Sequence, residues 1–168
     1  INFGSREINT AGDAPDVLVA MNPAALKVNL AALKPGGLII ADTGAFTKRN
    51  LDKAKYDANP LEDGSLAKFD VLAFDISEKT IEAVKPYGLG NKDALRSKNM
   101  WTLGLALWMF DRPREPIHDW LRGKFKSKPD IADANIAALE AENAKESAEL
   151  AAREKAEAEK RREALQAR

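Results

Sequence analysis

The chain has 168 residues, of which 45% are hydrophobic, and it carries 26 Lys and Arg against 26 Asp and Glu. That suits one ordinary domain with a sizeable core plus an extension, and a net charge of zero supplies no global pull toward nucleic acid or an anionic membrane. With no cysteine and a single histidine, His118, the chain has no disulfide, no cysteine-held iron–sulfur cluster and no ordinary structural zinc site.

Residues 1–9 alternate loosely through Ile1, Phe3 and Ile8, with a break at Gly4-Ser5, which is weak strand or hairpin evidence. The sequence opens on Ile1 and not Met, and "INFGSREI" reads as mid-strand and not as a signal peptide, so a fragment or internal segment is expected. "AGDAPD" is turn punctuation. "DVLVAMN" (16–22) is a short apolar run of the kind that suits a strand buried on both faces. Pro23 fits a first helical turn, and Leu26, Leu30 and Leu33 follow at helical spacing before "PGG" (35–37) stops the helix. "LIIAD" (38–42) is a second buried strand, so the unit is β-α-β and its two strands are parallel.

A polar segment follows, with a short helix expected near 50–56 and breakers at Pro60, Asp63 and Gly64. "FDVLAFDIS" (69–77) predicts a third strand, and Ser77 is positioned to cap the next helix, although Thr80 stands where a capping box would have Glu or Gln. After a Pro86–Gly90 loop comes "SKNMWTLGLALWMF" (97–110), with two of the three tryptophans. Its uncharged run is too short to span a membrane, which needs about 20 apolar residues. It reads as a buried helix with a stripe of Leu95, Met100, Leu103, Leu107 and Phe110, widened by Trp101, Leu105, Trp108 and Met109, and subunit packing is expected to extend its burial. His118, in "REPIHDW", reads as a surface turn residue and is the one histidine a catalytic triad could use. A short amphipathic piece is expected around Trp120-Leu121. From Asp130 the composition turns to Ala, Glu, Lys and Arg without Gly or Pro, which predicts a long charged helix with a weak, mostly Ala seam. The fold class is therefore α/β: three layers, a mostly parallel sheet flanked by helices, and that C-terminal helix. The domain division is 1–129 for the α/β part and 130–168 for the helical extension.

No stretch is a G-x-G-x-x-G fingerprint or a Walker A loop; "PGG" is a helix-to-strand turn. Loops after parallel strands sit at the carboxyl edge of the sheet, where open α/β folds bind ligands. Here they carry Asn22; Asp42, Thr43 and Gly44; and Asp75 and Ser77. They read either as structural caps or as ligand contacts. "RGKFKSK" (122–128) is a local basic patch that reads as a solvated face or as a site for an anionic group. Glu62 and Asp63 are loop neighbours without acid/base logic of their own.

The phrases "PDVLVAMNPAAL", "LKPGGLIIAD", "SKNMWTLGLALWMF" and "RPREPIHDWLRGKFKSKPDIADANIAALEA" together resemble the gamma-type domain of the alpha subunit of 2-oxoglutarate:ferredoxin oxidoreductase, in the 2-oxoacid:acceptor oxidoreductase family. The resemblance covers residues 1–141, and the family's Gly-rich opening strand and helix are expected to be missing. It implies a subunit or domain of an enzyme that decarboxylates a 2-oxo acid oxidatively and forms acyl-CoA. This part would contribute assembly and CoA-side structure, and the isolated chain is expected to be inactive. The resemblance implies that thiamine diphosphate, the iron–sulfur cluster and CoA belong to the assembled enzyme, with none held by this chain alone. It also implies the thiamine-binding domain and beta subunit of the same enzyme as partners, ferredoxin through the complex, no nucleic acid, no membrane and a cytoplasmic location. Asn22, Thr43 and Gly44 are the candidate ligand or interface contacts, chosen as strand ends, and Lys98 and Asn99 open the apolar helix against a neighbour. The alternative is a non-catalytic interaction protein that associates through its helical tail.

Overall fold

A computed structural model describes residues 14–141. The expectations for residues 1–13 and for the charged helix beyond Ala141 lie outside the described residues. The chain divides into two compact units, one ending at Glu78 and one beginning at Lys79.

The first unit holds the sheet. Its elements are strand β1 (Val17–Ala20), helix α1 (Pro23–Asn29), strand β2 (Leu38–Asp42), helix α2 (Lys48–Lys53) and strand β3 (Asp70–Phe74). Helix α3 (Ile76–Val84) begins here and runs across the division. The strands lie in the order β1-β2-β3 and all pair in parallel. This is the α/β class read from the sequence. Register places Leu18, Ile39 and Val71 in one row and Ala20, Ala41 and Ala73 in the next on the same face. Over β1 and β2 that face forms a core with Leu26, Leu33, Phe46 and Leu66, with Leu51 and Phe69 packed against it. Burying each such side chain stabilises the fold by about 1.5–3 kcal/mol.

The first strand is shorter than expected, because the chain turns at Met21-Asn22 into α1. The helix does not run to Leu33 either; after Asn29 it tightens to a 3-10 turn at Leu30–Ala32. A second 3-10 turn, Thr43–Ala45, follows β2. Gly36 adopts a φ of 74° in the turn before β2, where a side chain would be strained. Helix α2 ends differently, on Lys55 in the left-handed region at φ 57°, a conformation that costs a non-glycine residue about 1–2 kcal/mol. Lys27 on α1 offsets this. Its Nζ donates to the carbonyls of Ala54 at 3.0 Å and Lys55 at 2.5 Å, and sits 4.7 Å above the Tyr56 ring. The ammonium thus takes up orphaned carbonyls at the helix end.

The second unit is helical. After α3 a 3-10 turn (Lys85–Tyr87) stops at Gly88, which has φ 63°. Helix α4 (Asn91–Ala94), a 3-10 turn (Leu95–Ser97), α5 (Lys98–Met109), α6 (Glu115–Lys124) and α7 (Pro129–Leu139) follow. Helix α7 packs on both α5 and α6. The α5–α7 approach is set by Gly104, since a Cβ there would collide with the backbone carbonyl of Leu139. The buried side of α5 holds Leu107 of the expected stripe and two of the residues that widen it, but not the stripe's two ends. Trp101 and Leu105 are fully buried, whereas Leu95 is 37% and Phe110 40% exposed. The helix is apolar nearly all round, so hydropathy left its rotation open. The backbone contact at Gly104 fixes it. Among the described residues no helix is long and apolar enough to cross a membrane.

Candidate functional site

At the carboxyl edge of the sheet, Ala20 of β1 aligns with Ala41 of β2, so Asn22 and Thr43 leave neighbouring strands at the same level. The structure thus brings the three predicted residues, Asn22, Thr43 and Gly44, to one edge. The Asn22 side chain is engaged locally: its Oδ1 accepts from the Ala25 amide at 2.9 Å and caps α1. Thr43 is exposed at the start of its 3-10 turn. Gly44 lies against Asp75, whose Cγ would be 2.9 Å from a Cβ added at position 44.

Behind them sits Asp42, a fully buried carboxylate at the end of β2. A buried charge must be hydrogen-bonded to be tolerated. Its Oδ1 accepts from the Ser77 amide at 3.2 Å and its Oδ2 from the Ser77 hydroxyl at 2.9 Å. Asp75 Oδ1 accepts from the Glu78 amide at 2.8 Å. Ser77, expected as the cap of α3, therefore lies inside its first turn, and Asp75 performs the capping. The reason is geometric: the helix starts at Ile76, so the residue before it is the one whose carboxylate reaches the third helical amide.

This edge is closed where α3 begins. The two carboxylates take up the α3 amides that an anion would otherwise use. No side chain in the intervening loops (21–22, 43–47 and 75) is basic. A diphosphate needs amides and cations free to meet it; the α3 amides are taken up, whereas α2 begins at Lys48 and Arg49 with no side-chain cap on its first turn. Among the described residues no three His, Asp or Glu side chains cluster as a metal site would.

The second unit holds a cluster that the sequence did not reveal. His118 lies on α6, not in a turn, because a helix starts at Glu115 with Pro116 in its first turn. Its Nε2 is 2.8 Å from Glu140 Oε1. Arg114 Nη1 donates to Glu140 Oε2 at 2.6 Å, and its Nη2 reaches the Gly104 carbonyl at 3.5 Å. A cleft of about 490 Å³ adjoins it, lined by Leu107, Trp108, Arg112, Pro113 and Arg114 among others. The group ties the end of α7 to α6 and α5. The only available signal was the i, i+4 spacing of Arg114 and His118, which does not name a partner 22 residues away.

Of the other sequence candidates, Lys124 of the basic patch is engaged locally. Lys124 lies 4.4 Å above Trp120 and 5.6 Å from the Phe125 ring centre. Thr102 Oγ1 donates to the Lys98 carbonyl at 3.0 Å, and Asn99 is exposed. Asp63 sits below the ordinary carboxylate range because the Ser65 side chain and amide bond to its charged form. Tyr56 is raised by burial and then by the charge of Asp63. None of these forms an acid/base pair.

Against this geometry stand the known relatives. The family model for pyruvate ferredoxin/flavodoxin oxidoreductase matches residues 1–142. The 2-oxoglutarate oxidoreductase subunit KorA of Mycobacterium tuberculosis is 48% identical over 141 residues, covering 84% of this chain and 22% of KorA. The ketoisovalerate oxidoreductase subunit VorA of Methanothermobacter marburgensis is 29% identical over 142 residues, 82% of this chain and 24% of VorA. A solved 2-oxoglutarate:ferredoxin oxidoreductase from Magnetococcus marinus, with 2-oxoglutarate, coenzyme A and succinyl-CoA bound, shares the fold at a TM-score of 0.60 and 23% identity, over 87% of this chain and 22% of that one. The chain thus spans less than a quarter of the length of the relatives it matches. With the family model covering residues 1–142, the chain belongs to the pyruvate ferredoxin/flavodoxin oxidoreductase family.

Proposed function

We propose that this chain serves as a non-catalytic domain of a 2-oxoglutarate:ferredoxin oxidoreductase subunit, in an enzyme that decarboxylates the 2-oxo acid oxidatively and forms acyl-CoA. The observation that carries this reading is the 48% identity to KorA over 141 residues. It applies to nearly everything described, including both units. The domain's part is assembly and shape. The strand-end carboxylates are used to hold α3, and the sequence contains no cysteine to ligate a cluster. Thiamine diphosphate and the iron–sulfur cluster would then be held by the thiamine-binding domain and beta subunit of the enzyme, and ferredoxin would be met through the complex. Asn22 caps α1 and Gly44 packs against Asp75, so the exposed Thr43 is the strand-end residue left for a ligand or interface contact. The enzyme would work in the cytoplasm.

The test is a chimera in which residues 1–141 of this chain replace the matched 141 residues of KorA, assayed with the partner subunits of KorA. The expected result is 2-oxoglutarate- and CoA-dependent dye reduction within about tenfold of native KorA. An assembled chimera without that activity would overturn the reading.

A further inference from the structure

Helix α5 is amphipathic in burial but not in chemistry. At about 100° per residue, Asn99, Leu103, Ala106 and Phe110 fall on one side, with Leu95 of the preceding turn in line, opposite Trp101. That outer side is the open one. Leu95 is 37% and Phe110 40% exposed, Asn99 is exposed, and Leu103 and Ala106 are half-buried. A helix facing solvent carries charges on its outer side, yet no charged residue occurs between Lys98 and Asp111. The cost of displaying leucine and phenylalanine to water is removed if another surface covers them.

We infer that the outer side of α5 is the face on which this domain packs against the remainder of its own oxidoreductase polypeptide. The inference rests on the function proposed above. The matched segment is 22% of KorA and 24% of VorA, so in those proteins more than three quarters of the chain lies beside it. An apolar side without charges fits a permanent interface within a polypeptide, whose centre is depleted of charge, better than a transient electrostatic one. Asn99 is the polar residue in the stripe, and a single polar residue in an apolar seam fixes register at some loss of affinity. The occupant is therefore an apolar helix or sheet face that offers one hydrogen-bonding group opposite Asn99.

Hydroxyl-radical footprinting of the free 168-residue chain and of the KorA chimera tests this. Oxidation of Leu95 and Phe110 should fall at least fivefold in the chimera, while Trp120, 49% exposed on α6, serves as the comparison residue. Ala106→Arg should restore oxidation of both in the chimera without changing the circular dichroism of the free chain. Leu95→Glu is the second variant, read at Phe110. Unchanged oxidation in an active chimera would overturn the inference and leave the proposed function standing. An assembled but inactive chimera with unchanged oxidation would overturn both. Protection of the free chain that rises with its concentration would assign the face to a second copy of the chain and refute the partner named here.

Discussion

The turn after β2 and the middle of α5 each hold a glycine where a side chain does not fit, but the obstacles differ. At Gly44 a Cβ would meet the carboxylate of Asp75, the far end of a side chain. At Gly104 it would meet the backbone of Leu139. A carboxylate can swing away at the loss of one helix cap. A helix backbone moves only with the whole helix, and every contact between α5 and α7 moves with it. The sheet edge is held by replaceable side-chain bonds, while the helical unit is held by the close approach of two backbones.

Forcing α5 away from α7 should cost the most stability. Gly104→Ala gains about 1 kcal/mol of helix propensity, yet it should destabilise the second unit by about 2–3 kcal/mol net through forced separation of α5 and α7. Gly44→Ala should cost only about 1 kcal/mol, the worth of a lost cap. Chemical denaturation of both variants, with amide exchange to show which unit loosens, checks the order. Equal losses would mean that the two glycines are constrained alike.

Much of the sheet was legible in the sequence, and the reason is chemical. "LIIA" is an unbroken apolar run between Gly37 and Asp42, too short for a helix, and β2 spans Leu38–Asp42 as read. In α5 the same strength of signal misleads. Trp101, Leu103, Leu105, Leu107 and Phe110 are all apolar, and a helix without a polar side gives no phase. The rotation depends on Leu139, a contact 35 positions along the chain. The strand-end positions were legible as a place, since loops after parallel strands share an edge. Their chemistry was not. That Asp42 is spent on Ser77, and that Asp75 rather than Ser77 caps α3, depends on where the helix starts to within one residue. Arg114, His118 and Glu140 were hidden for a related reason: residues 115–118 read as a turn until Pro116 is seen in the first turn of a helix.

A middle-sized effect sharpens the sheet side. Asp42 is fully buried and holds Ser77 with both carboxylate oxygens. Asp42→Ala would leave the half-buried Ser77 amide and hydroxyl without these acceptors. It should cost about 2 kcal/mol and increase amide exchange at the start of α3. Asp42→Asn, which keeps an acceptor oxygen, should lose less. If both variants are as stable as the parent, the carboxylate is free for another task and the edge is not closed.

The smallest effect belongs to the ion cluster, although its short distances suggest otherwise. Glu140 meets Arg114 at 2.6 Å and His118 at 2.8 Å, but the side chains keep 39%, 23% and 21% of their exposure. Water at that level screens the attraction, and ordering three side chains costs entropy, so the pairs together are worth less than their geometry implies. Glu140→Gln should lower stability by about 0.5–1 kcal/mol, and a double-mutant cycle with Arg114→Met should give a coupling of the same size. The effect should shrink at high salt, whereas that of Gly104→Ala should not, because steric collision has no ionic-strength dependence. A coupling above about 2 kcal/mol would instead make Glu140 the principal tie between α6 and α7, with the Gly104 contact following from it.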